Sequence, residues 1–255
     1  MKKYFRSLAL LLFFHLALAG NAVSAEDKSF AEIIDSVNSK FDRIETLSAN
    51  VTRISYKANS TVEERWDYFF QKPDKIRVDY LKPGKRFLVQ NINKFVEYIP
   101  EIKKANVIDL SGYSEYDKKV FYEKVFTRVS LRGLRLGAVK KGDVKIKRVS
   151  LNEFDAYFID SEKPKYQIWV DSKSDALIKH VIYDDDGEIV YSSEGEDFKS
   201  FEGGFLLPQK INIVLPEKEG TLIKSVMFLN NMKVNEHISE SKFDIKLAND
   251  VEVIK

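Results

Sequence analysis

The feature that most constrains this chain is a two-residue alternation of apolar and polar side chains, which recurs between turn signals along most of its 255 residues. Successive side chains of a strand point to opposite faces, so the alternation describes strands with one buried face. In Val62 to Gln71, residues Val62, Glu64, Trp66, Tyr68 and Phe70 share one parity, and Glu63, Arg65, Asp67 and Phe69 the other. The pattern resumes after each turn: Ile76, Val78 and Tyr80 follow Lys72-Pro73-Asp74, Phe87 and Val89 follow Lys82-Pro83-Gly84, and Phe95 to Ile99 follows Asn91-Ile92-Asn93. Later runs cover Phe154 to Asp160, Tyr166 to Asp171, Leu177 to Tyr183, Ile189 to Ser193, Lys210 to Leu215 and Leu222 to Leu229. Asp186-Gly187 is a hairpin turn of the kind that needs positive φ.

Two stretches carry the helical period instead. From Ser29 to Leu47 the apolar residues Phe30, Ile33, Ile34, Val37, Phe41, Ile44 and Leu47 form one stripe, and Ser29 with Glu32 makes a capping box. Between Tyr116 and Leu136, Val120, Phe121, Val125, Phe126 and Val129 keep helical spacing, with Lys118, Lys119, Lys124, Arg128 and Arg132 on the other face. About ten strands and two or three helices, without the strand–helix alternation of a parallel sheet, predict a mainly β chain with α: a large antiparallel sheet with helical insertions. No Pro/Gly/Ser-rich linker interrupts it, so residues 26–255 read as a single domain.

The first 25 residues read as a signal peptide. Lys2, Lys3 and Arg6 precede the apolar run Leu8 to Leu18, which is too short to span a bilayer, and Val23-Ser24-Ala25 offers a cleavage site. With no cysteine in the chain there is no lipid-anchor acceptor and no disulfide, so the expectation is a secreted, unanchored protein held together by its core alone. Losing Lys2, Lys3 and Arg6 would take the basic residues from 41 to 38 against 39 acidic ones. That even balance gives no reason to expect nucleic acid as a partner.

Catalytic constellations are not apparent in the sequence. After the leader only His180 and His237 remain, the first in a strand pattern and the second in a polar connection, and there is no Gly-rich phosphate loop. Asp184-Asp185-Asp186-Gly187-Glu188 superficially resembles a calcium loop, but it is flanked by strand patterns and lacks the Glu six residues after the Gly, so it reads as a hairpin tip. No enzyme, metal or cofactor is expected. The aromatic load, 18 Phe, 12 Tyr and 2 Trp, either fills an ordinary core or lines an apolar cavity that holds a ligand.

The segment Phe70-Gln71-Lys72-Pro73-Asp74-Lys75-Ile76-Arg77-Val78, with Pro83, Leu88-Val89 and Tyr98-Ile99-Pro100 after it, resembles the periplasmic outer-membrane lipoprotein carriers, the LolA-like family. The helix Phe30 to Leu47 followed by Ser48-Ala49-Asn50-Val51 resembles that family's opening, and Lys242-Phe243-Asp244-Ile245 before Val251 its closing strand. The resemblance implies an incomplete antiparallel β-barrel, a half-barrel whose helices cover an apolar concave face. It puts Lys72 where the family has an arginine that hydrogen-bonds to the helical lid, and Ile76 where an aromatic lines the cavity mouth. Lysine keeps the charge without the planar fork of donors, so a weaker latch is expected.

The apolar lining is then expected to be Trp66, Tyr68, Phe70, Ile76, Val78 and Tyr80, with Lys72 as the lid latch. The function implied is that of a monomeric periplasmic carrier. It would take the acyl chains of a lipoprotein or lipid from an inner-membrane export complex or pump to an outer-membrane acceptor. The alternative is an envelope sensor or regulatory domain on the same scaffold, recognising lipidated or misfolded proteins.

Overall fold

The computed structural model describes residues 28–57, 59–126, 136, 143–216 and 222–254. The expected signal peptide lies outside the described residues, and so do residues 127–135 of the second expected helix. Helix α1 (Phe30–Asp42) leads into a meander of β1 (Thr46–Lys57), β2 (Ser60–Gln71), β3 (Lys75–Lys82), β4 (Arg86–Asn91), β5 (Lys94–Ile99) and β6 (Lys104–Asp109). Helix α2 (Glu115–Phe126) separates it from a second meander of β7 (Val144–Leu151), β8 (Phe154–Glu162), β9 (Lys165–Asp171), β10 (Leu177–Tyr183), β11 (Ile189–Phe201), β12 (Phe205–Pro216) and β13 (Leu222–Val234). The last strand is the short β14 (Glu252–Ile254).

The fourteen strands among the described residues form one open sheet in the order β14-β6-β5-β4-β3-β2-β1-β13-β12-β11-β10-β9-β8-β7, an incomplete barrel whose edges are β14 and β7. Every pairing is antiparallel except β14 on β6. The meanders meet where β1 pairs with β13. The strands beyond the ten expected are β1, β6, β7 and β14. Their alternation is diluted: β7 is an edge with exposed Lys145 and Lys147, as edges that must resist further pairing tend to be, and β14 is exposed throughout, held by its backbone pairing and by Lys103–Asp250 at 2.6 Å.

The sequence reading needs two further corrections. Helix α1 ends at Asp42 rather than Leu47, and Ile44 and Leu47 are buried in the connection and in β1. The Asn235 side chain accepts from Glu45 N–H at 2.8 Å, which fixes the chain in the exit from the helix. The expected closing strand at Lys242–Ile245 is instead a 3-10 turn over Glu240–Phe243, which buries its one apolar residue, Phe243. β14 does the closing.

Because directly paired residues share a face, the register sorts the sheet into two. The inner face carries Leu47, Val51, Trp66, Tyr68, Phe70, Ile76, Val78, Tyr80 and Leu88 of the first meander, with Met227 and Leu229 of β13 beside them. In β4 it is therefore Leu88 and Gln90 that face inward with Val78 and Ile76, while Phe87 and Val89 lie on the outer face. The 240–243 turn lies against β3 and β4 on that outer side: Arg77 Nη1 donates to Lys242 O at 3.0 Å, Gln71 Nε2 donates to Glu240 Oε1 at 2.7 Å, and Lys242 Nζ sits 3.9 Å from the Phe69 ring centroid.

Helices cover the inner face at two places. The capping box of α1 forms as expected, with Ser29 N–H donating to Glu32 Oε2 at 2.7 Å and Ser29 Oγ accepting from Glu32 N–H at 3.4 Å. Its stripe of Phe30, Ile33, Ile34 and Val37 packs with Tyr157, Ile159, Ile168 and Val170 of the second meander. Lys28 pins the helix start to Asp175 at 2.6 Å. α2 begins at Ser114, whose Oγ accepts from Asp117 N–H at 3.1 Å, and it sets Phe121, Tyr122 and Val125 on the first meander. Phe121 meets Phe95 edge-on, with ring centroids 5.2 Å apart.

Candidate functional site

The six residues expected to line a cavity come together on adjacent strands. β2 supplies Trp66, Tyr68 and Phe70, and β3 places Tyr80, Val78 and Ile76 directly opposite them. None is more than 6% exposed, and Trp66, Ile76 and Val78 are wholly enclosed. β-branched and aromatic side chains at a two-residue period suit a pleated surface with one dry side, which explains why this stretch folds locally as it does. The Trp66 and Tyr80 rings lie 5.9 Å apart at 40°, and the Arg53 guanidinium sits 5.4 Å from the Trp66 ring centroid.

Two polar atoms within this apolar cluster stand out. Trp66 Nε1 and Gln90 Oε1 are buried and have no hydrogen-bond partner among the described residues. A buried donor or acceptor left unbonded costs roughly 1–3 kcal/mol, so each would gain from a polar group arriving on the inner face. Gln90 and the helix residues Phe121 and Tyr122 belong to the same surface but are not among the expected lining. Phe121 was visible as an apolar helical position; nothing in the local sequence around Gln90 tells that its strand turns it inward.

Lys72 follows β2 directly. Its Nζ donates to the Asp42 carbonyl at the C-terminal end of α1 and to Glu45 Oε1 at 2.9 Å, while its own N–H donates to Glu45 O at 2.9 Å. A cation at a helix C-terminus is favourable because unpaired carbonyls gather there. Lys72 therefore holds α1, not α2. With the Lys72 side chain about one-third exposed, this tie is worth no more than about 1 kcal/mol.

Under the end of α1, between Phe41, Ile44, Ala176 and Leu207, lies a small, partly open cavity of about 20 Å³, room for about one water. Among the described residues, α1 and α2 pack on the inner face through Ile33, Val37, Phe121 and Tyr122. Of the other sequence candidates, His180 lies in β10 with its ring edge-on to Tyr191 at 5.6 Å, and burial lowers its pKa to about 4. Asp184 to Glu188 forms the β10–β11 hairpin tip, where Asp184 Oδ1 accepts from Asp186 N–H at 3.1 Å and Glu188 N–H at 2.8 Å, and Gly187 has φ +86°. No group of His, Asp or Glu side chains placed to hold a metal occurs among the described residues. No helix among them is long and apolar enough to cross a membrane.

No family model matches the sequence, and no curated protein matches it. Solved structures do. A DUF1329 family protein from Desulfovibrio piger superposes with a TM-score of 0.56 at 14% identity, covering 83% of this chain and 95% of the other. A protein described as an outer membrane lipoprotein-sorting domain, from Vibrio parahaemolyticus, gives 0.55 at 13% identity, with 83% and 95% covered. A LolA superfamily protein from Nitrosomonas europaea gives 0.52 at 14% identity, with 86% and 99% covered.

Proposed function

We propose, from the LolA-like fold of this chain, that it is a periplasmic carrier that shelters acyl chains against the inner face of its sheet. The observation that supports this most directly is the unbroken apolar surface from Phe70 and Ile76 to Trp66 and Tyr80, closed over by helix α2 through the Phe121–Phe95 contact. Residues 1–25 would direct export, and 26–255 would act as one carrier domain. An inner-membrane export complex or pump would deliver the cargo and an outer-membrane acceptor would take it.

The energetics suit such a task. Each methylene removed from water is worth about 0.8 kcal/mol, so a chain of about 16 carbons gains roughly 12 kcal/mol on entering a dry site and cannot cross an aqueous space unaided. A carrier also has to let go. Here α2 already packs on part of the inner face through Phe121 and Tyr122, so the helix would compete with cargo for that surface and lower the net affinity toward a value from which release is feasible.

The test is acyl binding by the mature chain, followed with a fluorescent fatty-acyl probe and by native mass spectrometry of protein taken from its own cell envelope. A saturable 1:1 complex that competing lipid displaces is the expected result. A bare protein mass together with no probe uptake would remove the carrier reading.

A further inference from the structure

At the opposite end of β2 from Lys72, where the β3–β4 turn approaches the end of β5, a depression of about 330 Å³ opens beside the apolar surface. Its walls include Glu64, Tyr80, Lys85, Arg86 and Glu101. Both of its carboxylates are already engaged. Glu64 Oε2 accepts from Arg53 Nε at 2.9 Å and Nη2 at 2.5 Å, and Glu101 Oε1 accepts from the Lys85 N–H at 2.9 Å.

The cations are less fully engaged. Among the described residues Arg86 reaches a carboxylate only at Glu97, 3.5 Å away, and also hydrogen-bonds to Tyr80; Glu97 also accepts from Asn106 Nδ2 at 3.1 Å, and the Lys85 ammonium is exposed and has no ion pair among the described residues. The Arg86 guanidinium lies 4.3 Å from the Tyr80 ring centroid, which holds its planar fork at the wall of the depression. Tyr80 packs in turn against Trp66, the wholly buried residue whose Nε1–H has no acceptor among the described residues. The depression thus gathers a guanidinium and an ammonium, both donors, on a wall whose Tyr80 ring packs against Trp66. What such a set lacks is an acceptor carrying negative charge.

We infer that this depression holds the oxyanion head group, carboxylate or phosphate, of an anionic amphiphile whose tail lies along Trp66, Tyr68 and Phe70. Tyr80 belongs to both surfaces, so head and tail sites are continuous. From Trp66 to Phe70 the strand rises about 14 Å, a span suited to the body of an acyl tail. The inference rests on the carrier reading and narrows it, favouring cargo charged at the head over cargo whose acylated end is neutral.

The test compares palmitate with methyl palmitate, and phosphatidylglycerol with diacylglycerol, on the full mature chain and on the Lys85→Gln/Arg86→Gln double variant, by displacement of a fluorescent acyl probe. In the wild type each charged amphiphile is expected to bind about tenfold more tightly than its neutral counterpart. In the double variant that preference is expected to vanish while binding of the neutral compounds persists. The carboxylate and phosphate pairs show which oxyanion is preferred. Equal binding of charged and neutral compounds by the wild type, or a preference retained in the variant, overturns the head-group site and leaves the carrier reading standing. Inorganic phosphate that binds through Arg86, with no gain for any charged amphiphile, identifies a free-anion site and overturns the assignment as well. Failure to bind any acyl compound removes the carrier reading and this inference together.

Discussion

His180 is a largely buried base. It shares the inner face with Ile168 and Ser193, directly opposite it on β9 and β11, and burial lowers its pKa from 6.5 to about 4. Between those values the unfolded chain binds a proton that the folded chain refuses, so stability is at its full value above about pH 6.5 and falls as the pH drops toward 4. The loss should amount to about 2–3 kcal/mol across that window. Asp155, whose carboxyl is held below its ordinary value of 3.8 by the Arg148 hydrogen bond, adds its own loss only at lower pH. Urea midpoints measured from pH 7 to pH 4.5 should therefore slope downward in the wild type and be nearly flat in His180→Phe. Equal slopes in the two proteins would show that His180 does not carry the effect.

Among the elements, α1 depends for its C-terminal placement on Lys72. Replacing it by Leu removes the donors to Asp42 O and Glu45 Oε1. Folding stability in Lys72→Leu should change by less than about 1 kcal/mol, as for other exposed pairs. Uptake of an acyl probe should become severalfold faster if the tie acts as a latch, and an unchanged stopped-flow rate would end that idea. Much of the architecture was legible at this scale. The parity of Trp66, Tyr68 and Phe70 marked the inner face, and Ser29 with Glu32 marked the start of α1. The end of α1 was not legible, because Phe41, Ile44 and Leu47 keep apolar spacing across a boundary set by Asn235, far away in sequence. β14 was not legible either, since its partner is a backbone edge rather than a core. The depression beside Tyr80 escapes any local reading because Glu64, Arg86 and Glu101 come from three separate elements and meet only through strand pairing.

For the molecule as a whole, the segment after β13 acts as a strap across the outer face. Phe243 is 2% exposed beside the Arg77–Lys242 hydrogen bond, and Val89 and Val96 are buried on the same outer side of the sheet. Truncation of that ring should cost about 3–5 kcal/mol, the usual loss for a buried aromatic. Thermal unfolding of Phe243→Ala checks this, and a shift within error would mean that the strap is dispensable.

The position of β13 has a consequence for how the chain is made. It is the thirteenth strand in sequence yet sits mid-sheet, between β1 and β12. A ribosome or a translocation channel delivers the amino end first, so β1 spends the whole period of delivery with one row of backbone groups unmatched, a template for pairing with the wrong molecule. Closing the seam brings Leu47 against Val234, a loop that spans most of the polypeptide and is entropically slow to form. Vectorial folding can complete most of each half but cannot join them. The seam can close only once β13 has been delivered, and in that interval a holding chaperone would protect this protein most.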